Sequence, residues 1–370
     1  MRCSIGTARP VCAIASGEVN MNVARLSSRP ISKAIRHLGS NRSAAPKAPS
    51  GLLWGTALAV GALAACALVN RRLAAKAERD NPPRGRFIEV DGVRLHYVDR
   101  GQGDVLVLMH GNGSMIEDFE SSGLLGMAAE RYRVIAFDRP GFGHSERPRD
   151  TVWTPEEQAE LINRALVQLG VSRAVVLGHS RGASVAAALA LSHPEMVASL
   201  VLASGYYYTK PRIDVMLASA PAVPLFGDVL RHTLAPIAGR LLWPAILRKL
   251  FGPADVPSKF RTFPREMALR PSQLRAAAEE SALMLPGGFA PPGSYARIKA
   301  PVVIVTGDAD QVVDRDGQSA RLHREITQST LRCIPRTGHM VHQNAPKQVL
   351  LAIDEAASAG RERQTERNAA

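Results

Sequence analysis

From Arg86 onward, six continuous apolar runs recur: DVLVLMH (104–110), RVIAFD (133–138), AVVLGHS (174–180), LVLASG (200–205), PVVIVTG (301–307) and TLRCIP (330–335). A strand with one face in water alternates apolar and polar residues. A run that is apolar on both faces must be covered on both. Segments with helical spacing lie between the runs, near 116–130, 155–169, 183–192 and 345–358. Strand alternating with helix predicts the α/β class, a doubly wound, mostly parallel sheet with ligands at the carboxyl ends of its strands. RFIEVDGVRLHYVDRG (86–101) alternates around Asp91-Gly92, which predicts a leading two-stranded hairpin.

One interval breaks the alternation. Residues 206–298, rich in Pro, fall between the fourth and fifth runs, and LFGDVLRHTLAPIAGRLLWPAILRKLFG (225–252) spaces its apolar residues as helices do. A helical insertion late in the sheet, over the carboxyl ends of its strands, reads as a cap. The polar tail from Gly360 reads as frayed.

The N-terminal part has another texture. Of the net charge of +13, most comes from the stretch up to Arg86, which holds 14 Lys and Arg against 3 Asp and Glu; the remainder holds 32 against 30. That near-neutral remainder lacks the basic surface of a nucleic-acid-binding domain. Residues 1–50 read as a basic disordered arm or targeting segment, organellar transit peptides included. GLLWGTALAVGALAACALVN (51–70) carries no charge and is long enough to cross a bilayer as a helix, with Trp54 near one end and Arg71 and Arg72 closing it. Residues 71–85 read as a basic linker and 86–370 as the globular domain. The expectation is a single-pass membrane protein; a secretory signal, or lipoprotein processing at LAAC (63–66), are the alternatives. Basic residues after the span favour a cytoplasmic globular domain. Cys3, Cys12, Cys66 and Cys333 show no metal-ligand spacing and no disulfide framework.

The residues that carry chemistry begin with VVLGHSRGAS (175–184). Ser180 stands between Gly178 and Gly182 where an apolar run gives way to an alanine-rich helical pattern. A serine hydroxyl needs a base and a set of oxyanion donors. G-x-S-x-G at a strand-to-helix turn exposes the oxygen beside backbone N–H groups at a helix start. GFGHSERP repeats Gly-His-Ser at 143–145, but Ser145 lacks the preceding run and the second glycine, and reads as a loop residue.

The partners are expected at later strand ends in the order Ser, acid, His. GDADQVVD supplies Asp308, Asp310 and Asp314, each also explicable as a turn residue, and PRTGHMVHQ supplies His339, with His342 as the competing base. Backbone N–H groups of Asn112, in MHGNGSM, and Arg181 are the expected oxyanion donors. His110, His179 and Tyr206, at the same strand ends, are the expected substrate contacts. The loop matches neither phosphate-cradling glycine pattern. No metal or cofactor is expected.

With HGNG (110–113), DRPGFGHS (138–145), GHSRG (178–182), GDAD (307–310) and GH (338–339), the chain from about Arg86 to Ser358 resembles the α/β-hydrolase superfamily. The resemblance implies a helical cap at 206–298 and selects Asp310 as the acid. Dehalogenases and epoxide hydrolases of that superfamily carry Asp where Ser180 stands, so neither is implied. Arg181 departs from the small residues usual after the nucleophile, which suggests a side chain reaching the pocket. The expected activity is a serine hydrolase acting on an apolar carboxylic ester at a lipid bilayer. Amide, thioester or C–C bond hydrolysis and cofactor-free perhydrolysis would use the same groups, and a catalytically silent membrane-tethered binding module is the alternative class. The sequence sets no oligomeric state.

Overall fold

The computed structural model describes residues 50–209, 213–284, 291 and 293–369; the basic arm at 1–49 lies outside them. Eight strands form one sheet in the order β1-β2-β4-β3-β5-β6-β7-β8. They are β1 (Arg86–Val90), β2 (Val93–Arg100), β3 (Val105–Met109), β4 (Arg133–Phe137), β5 (Ala174–His179), β6 (Val197–Ala203), β7 (Val302–Gly307) and β8 (Ser329–Ile334). The β1–β2 and β2–β4 pairs are antiparallel and all others parallel. Asp91 and Gly92 both take positive φ, 51° and 75°. That is the turn whose twist matches a two-residue hairpin.

The apolar runs are buried on both faces, as their composition requires. Val107, Val176, Leu202 and Ile304 point to one side, under α4 (Pro155–Gln168) and α5 (Arg181–Ser192). Their neighbours Leu108, Leu177, Val201 and Val303 point to the other side, against α2 (Ile116–Ser122), α3 (Leu124–Ala129) and α13 (Pro346–Ala369), which follows the short α11 (Ser319–Glu325) and α12 (Val341–Asn344). The helix expected over 116–130 is two helices. Gly123 at φ 78° turns the chain, and Ser122 Oγ accepts from the Leu124 amide at 3.0 Å. Thr154 caps α4 by accepting from Glu157 N at 3.2 Å. The polar tail past Gly360 is not frayed: α13 runs to Ala369, with Arg361 paired to Asp104 at 2.9 Å.

Between β6 and β7 lie α6 (Ile213–Ala218), α7 (Phe226–His232), α8 (Leu234–Phe251), α9 (Arg265–Ala268) and α10 (Pro271–Ala282). The cap is fastened to the sheet by a buried ion pair. Arg139, just after β4, donates from Nη1 and Nη2 to the two carboxylate oxygens of Glu280 on α10, at 2.5 and 3.0 Å. Burial alone would raise the Glu280 carboxyl, but Arg139, Arg181 and Arg147 draw it down to about 2. Arg147 adds a second tie to the cap, donating to Glu279 at 2.6 Å.

The first helix, α1, spans Ser50–Asp80 and continues unbroken into the stretch read as a linker, of which 81–85 stay non-helical. Its part from Leu53 is long and apolar enough to cross a membrane by length and composition. Leu53, Trp54, Leu58 and Val60 are exposed, whereas Asn70 and Ala77 are buried. Asn70 Nδ2 donates to the carbonyls of His232 and Thr233, at 3.0 and 2.7 Å, and Arg240 donates to its Oδ1 at 2.9 Å.

Candidate active site

The turn from β5 into α5 sets Ser180 at φ 53° and ψ −118°, a conformation that L-residues adopt only when their surroundings enforce it. The two glycines show what enforces it. A Cβ at Gly178 would run into Gly182 O and the Ala183 backbone, and one at Gly182 into the carbonyls of Met109 and His110. Strand, helix and the end of β3 are therefore in direct backbone contact around the serine. Gly178→Ala or Gly182→Ala should abolish soluble, folded protein or active-site labelling, which expression and circular dichroism would read; a variant with native labelling would contradict the close approach.

Asp310 follows β7, and its Oδ1 accepts from the amides of Val312 and Val313 at 2.8 and 2.9 Å. Its Oδ2 accepts from His339 Nδ1 at 2.8 Å. Burial acts to raise its carboxyl, but His339 and the two amides hold it below the usual range, so the group is ionised at neutral pH. Donation from Nδ1 leaves His339 Nε2 as the acceptor of the neutral ring. The loop carrying His339 is braced from the cap, because His339 N donates to Leu250 O at the end of α8 at 2.9 Å. Asp308 and Asp314 hold turns: Asp308 Oδ1 accepts from Thr337 N at 3.3 Å and Asp314 Oδ1 from Asp316 N at 3.2 Å.

Ser180 and His339 line one cavity of about 280 Å³. Its wall includes Asn112 and His179 as well. Gly111 lies so close to the elbow that a Cβ there would stand 3.1 Å from Ser180 Cβ and from His179 Nδ1. Asn112 is fixed from the cap side, its Nδ2 donating to Ala277 O at 3.1 Å and Ser281 Oγ at 3.2 Å. Arg181 opens α5, so its N–H belongs to the electropositive end of that helix.

Three expected contacts are not on the cavity wall. His110 is fully buried, donating from Nδ1 to Gly111 O at 2.8 Å and accepting from Arg139 N at 3.0 Å. Burial, with Arg139 beside it, lowers its pKa to about 4. Tyr206 is buried after β6, where its carbonyl accepts from Ser184 Oγ at 2.5 Å. The Arg181 side chain is buried rather than pocket-facing. Burial lowers its pKa, and Glu280, Arg139, Glu156 and Tyr295 are the charged or polar groups that act on it. Ser145 is a loop residue, accepting from His96 N at 2.9 Å and donating to Asp138 O at 2.6 Å.

Beneath the cavity lies a polar cluster without a sequence signature. His179 donates from Nε2 to the carbonyl of His339 at 3.1 Å, and its ring stands 4.3 Å from that of His342. Burial, with His342 and His339 close by, keeps His179 well below its usual pKa. His342 Nε2 lies 3.1 Å from Asp118 Oδ2, which also accepts from Ser114 Oγ at 3.0 Å. Among the described residues, Asp118, His179 and His342 form a group that could hold a metal ion, with one donor atom of each within 4.8 Å of the others. The Asp118 carboxylate is already engaged by Ser114, His342 and Gln343, which accounts for it as a polar support of the floor. The apolar roof comes from Trp243, Ile246 and Leu250 of α8, Phe260 and Phe263 beyond it, and Leu274 of α10.

A sequence profile described as alpha/beta hydrolase fold matches residues 104–346. An uncharacterized hydrolase of Bacillus subtilis is 27% identical over 267 residues, covering 71% of this chain and 93% of its own. A 2-(acetamidomethylene)succinate hydrolase of Mesorhizobium japonicum is 26% identical over 274 residues, covering 72% and 93%. A 2-hydroxymuconate semialdehyde hydrolase of a Pseudomonas species is 36% identical over 156 residues, covering 42% and 55%. Among solved structures, a bacterial membrane phospholipase A superposes with a TM-score of 0.60 at 24% identity over 84% of this chain and 97% of its own. An esterase of Thermogutta terrifontis gives 0.61 at 22% over 75% and 99%. These two likenesses carry the fold. The chain belongs to the α/β-hydrolase fold family and is a hydrolase of that family.

Proposed function

We propose that the protein is a membrane-anchored serine hydrolase that cleaves lipophilic carboxylic esters through an acyl-enzyme, without a cofactor. The observation that carries this reading is the shared cavity: a strained, half-buried serine and an Asp-bound histidine line one space with an apolar roof. Ser180 Oγ attacks the ester carbonyl while His339 Nε2 takes its proton. The N–H groups of Asn112 and Arg181 receive the oxyanion. His339 then returns the proton to the departing alcohol, and water repeats the sequence on the acyl-enzyme. Asp310 holds the ring in the required tautomer and stabilises the imidazolium.

Substrate polarity favours this over the reactions named for the relatives. A succinate carries carboxylates, and no Arg or Lys lines the cavity among the described residues; Asp118 is the carboxylate on its wall. An uncharged acyl chain is the better fit for such walls. The experiment is a panel of p-nitrophenyl esters of increasing acyl length, assayed beside a dicarboxylate and a C–C cleavage substrate. kcat/KM should rise with chain length and be highest for an ester; turnover confined to the carboxylate substrates would overturn the assignment. Asp310→Asn should lower kcat on the order of ten thousandfold, because the wrong histidine tautomer then faces the serine. A loss under tenfold would remove Asp310 from its role.

The anchor is the second half of the proposal. The uncharged, exposed stretch of α1 up to Asn70 is read as spanning the bilayer, with the basic residues after it on the cytoplasmic side. Protease added outside sealed vesicles should leave the catalytic domain intact; its digestion would reverse the orientation.

A further inference from the structure

We propose that the outward face of α8, with the adjoining α7–α8 turn, docks on the lipid bilayer, so that the catalytic cavity is loaded from the membrane rather than from water. This rests on the reading of α1 as the anchor and extends it to the cap.

Helix α8 is apolar over most of its surface, its charges being Arg240 and, in the last turn, Arg248 and Lys249; so much exposed apolar surface is costly for a helix facing water on one side. Its residues sort into two faces. Trp243, Ile246 and Leu250 point into the catalytic cavity. Leu234 and Leu241, seven residues apart and so on one face, lie opposite and are 52% and 76% exposed. On α7, which packs against α8, and in the segment before it, Leu225 is 82% exposed and Phe226 and Val229 are exposed as well. Lone exposed apolar residues need no explanation; a contiguous set of this size marks an interaction surface.

The charges of this region are spent internally. Between Val215 and Leu247 the charged residues are Asp228, Arg231 and Arg240. Asp228 pairs with Arg231, and Arg240 with Glu266 at 2.8 Å. Beyond that stretch the exposed Arg248 and Lys249 close α8, Arg248 seven residues after Leu241 and so on the same face, where lipid phosphates would meet it.

Position selects the occupant. The uncharged run of α1 ends at Asn70, and Asn70 is hydrogen-bonded to the carbonyls of His232 and Thr233, at the turn where α8 begins. Where α1 leaves the bilayer, the α7–α8 turn is thus fixed beside it. Arg71 and Arg72, both exposed, follow at the level where lipid phosphates would lie. Beside this junction, a second cavity of about 610 Å³ runs between α1 and the cap, and Trp243, Phe260 and Phe263 line both it and the catalytic cavity. An acyl chain leaving the bilayer along this groove would find Leu73, Ala77, Leu247 and the three shared aromatics, while Lys76, Asp80, Arg261, Arg265 and Glu266 line the groove as well.

The test uses the full chain reconstituted in vesicles of phosphatidylcholine and phosphatidylglycerol in equal amounts. With the four native cysteines replaced by serine, Leu241→Cys is labelled with an environment-sensitive fluorophore, and Glu195→Cys, exposed just before β6, serves as the control. The label at 241 should shift to the blue and be quenched several-fold more by spin-labelled lipid than the label at 195. Equal quenching at both sites overturns the proposal. So does a blue shift at 241 that persists without lipid quenching, because the face is then covered by a second copy of the chain. This readout stands even if no esterase activity is found. In a second arm, Leu234→Asp with Leu241→Asp should keep turnover of a short soluble ester while losing about tenfold on a long-chain ester embedded in the vesicles. Equal losses on both substrates would make α8 a structural element of the cap and contradict docking.

Discussion

Ser180→Ala should lose on the order of a millionfold in kcat while its melting temperature stays within a few degrees of the wild type. The size follows from the unity of the group: without the hydroxyl, neither His339 nor the oxyanion donors has a covalent reaction to serve. His339→Ala should lose about as much, and the double variant scarcely more, since each removal disables the same step. The fold should survive, because the backbone contacts of Gly178 and Gly182, rather than the Ser180 side chain, form the turn. Single-turnover kinetics on a long-chain ester, with differential scanning calorimetry in parallel, gives both numbers. If His339→Ala kept near-normal rates while His342→Ala did not, the base would be misassigned, although His342 lies against Asp118 beneath the cavity rather than on its wall.

The largest effect on stability belongs to a residue outside the chemistry. Glu280→Ala should destabilise the protein by about 3–5 kcal/mol, because it leaves the Arg139 guanidinium buried without its carboxylate. Replacing both partners by apolar residues, Arg139→Met with Glu280→Leu, should recover part of the loss. Recovery stays partial because Arg139 also donates to His110 O at 2.7 Å and to Gln158 at 2.8 Å. The pair also sets an acid limit. The folded-state pKa of Glu280, about 2, lies below its ordinary 4.5, so its contribution is complete above about 4.5 and is lost as pH falls through about 2. Urea unfolding at neutral and acidic pH reads both effects. A Glu280→Ala midpoint unchanged at neutral pH would show that the cap is held by other contacts.

Much of the architecture was legible because it follows from burial. Both faces of β3, β5 and β7 are covered, and their sequences are apolar at every position but His179 and Thr306, near the carboxyl ends of β5 and β7. The hairpin was equally plain, since Asp91-Gly92 allows positive φ at two successive residues. The positions of Ser180, Asp310 and His339 after the ends of β5, β7 and β8 were legible because each follows a strand-forming run. Side-chain directions were not. His110 and Arg181 stand beside the elbow in sequence, yet their side chains turn into the protein toward Arg139 and Glu280. The partner that decides this, Glu280, is 141 residues from Arg139, and no local spacing announces it. The floor of Asp118, His179 and His342 was hidden for the same reason, its members coming from α2, the end of β5 and the short helix Val341–Asn344. The unbroken α1 was missed because Arg71 and Arg72 look like the end of an apolar helix, while the backbone continues it to Asp80.

The account rests on Ser180 being the nucleophile that His339 and Asp310 activate. Fluorophosphonate labelling of the folded, full-length protein, followed by mass spectrometry of its peptides, addresses this directly. One adduct per chain is expected, on the peptide carrying Ser180, absent in Ser180→Ala and formed much more slowly in Asp310→Asn. An adduct on another residue, or none on protein that melts cooperatively, would contradict it.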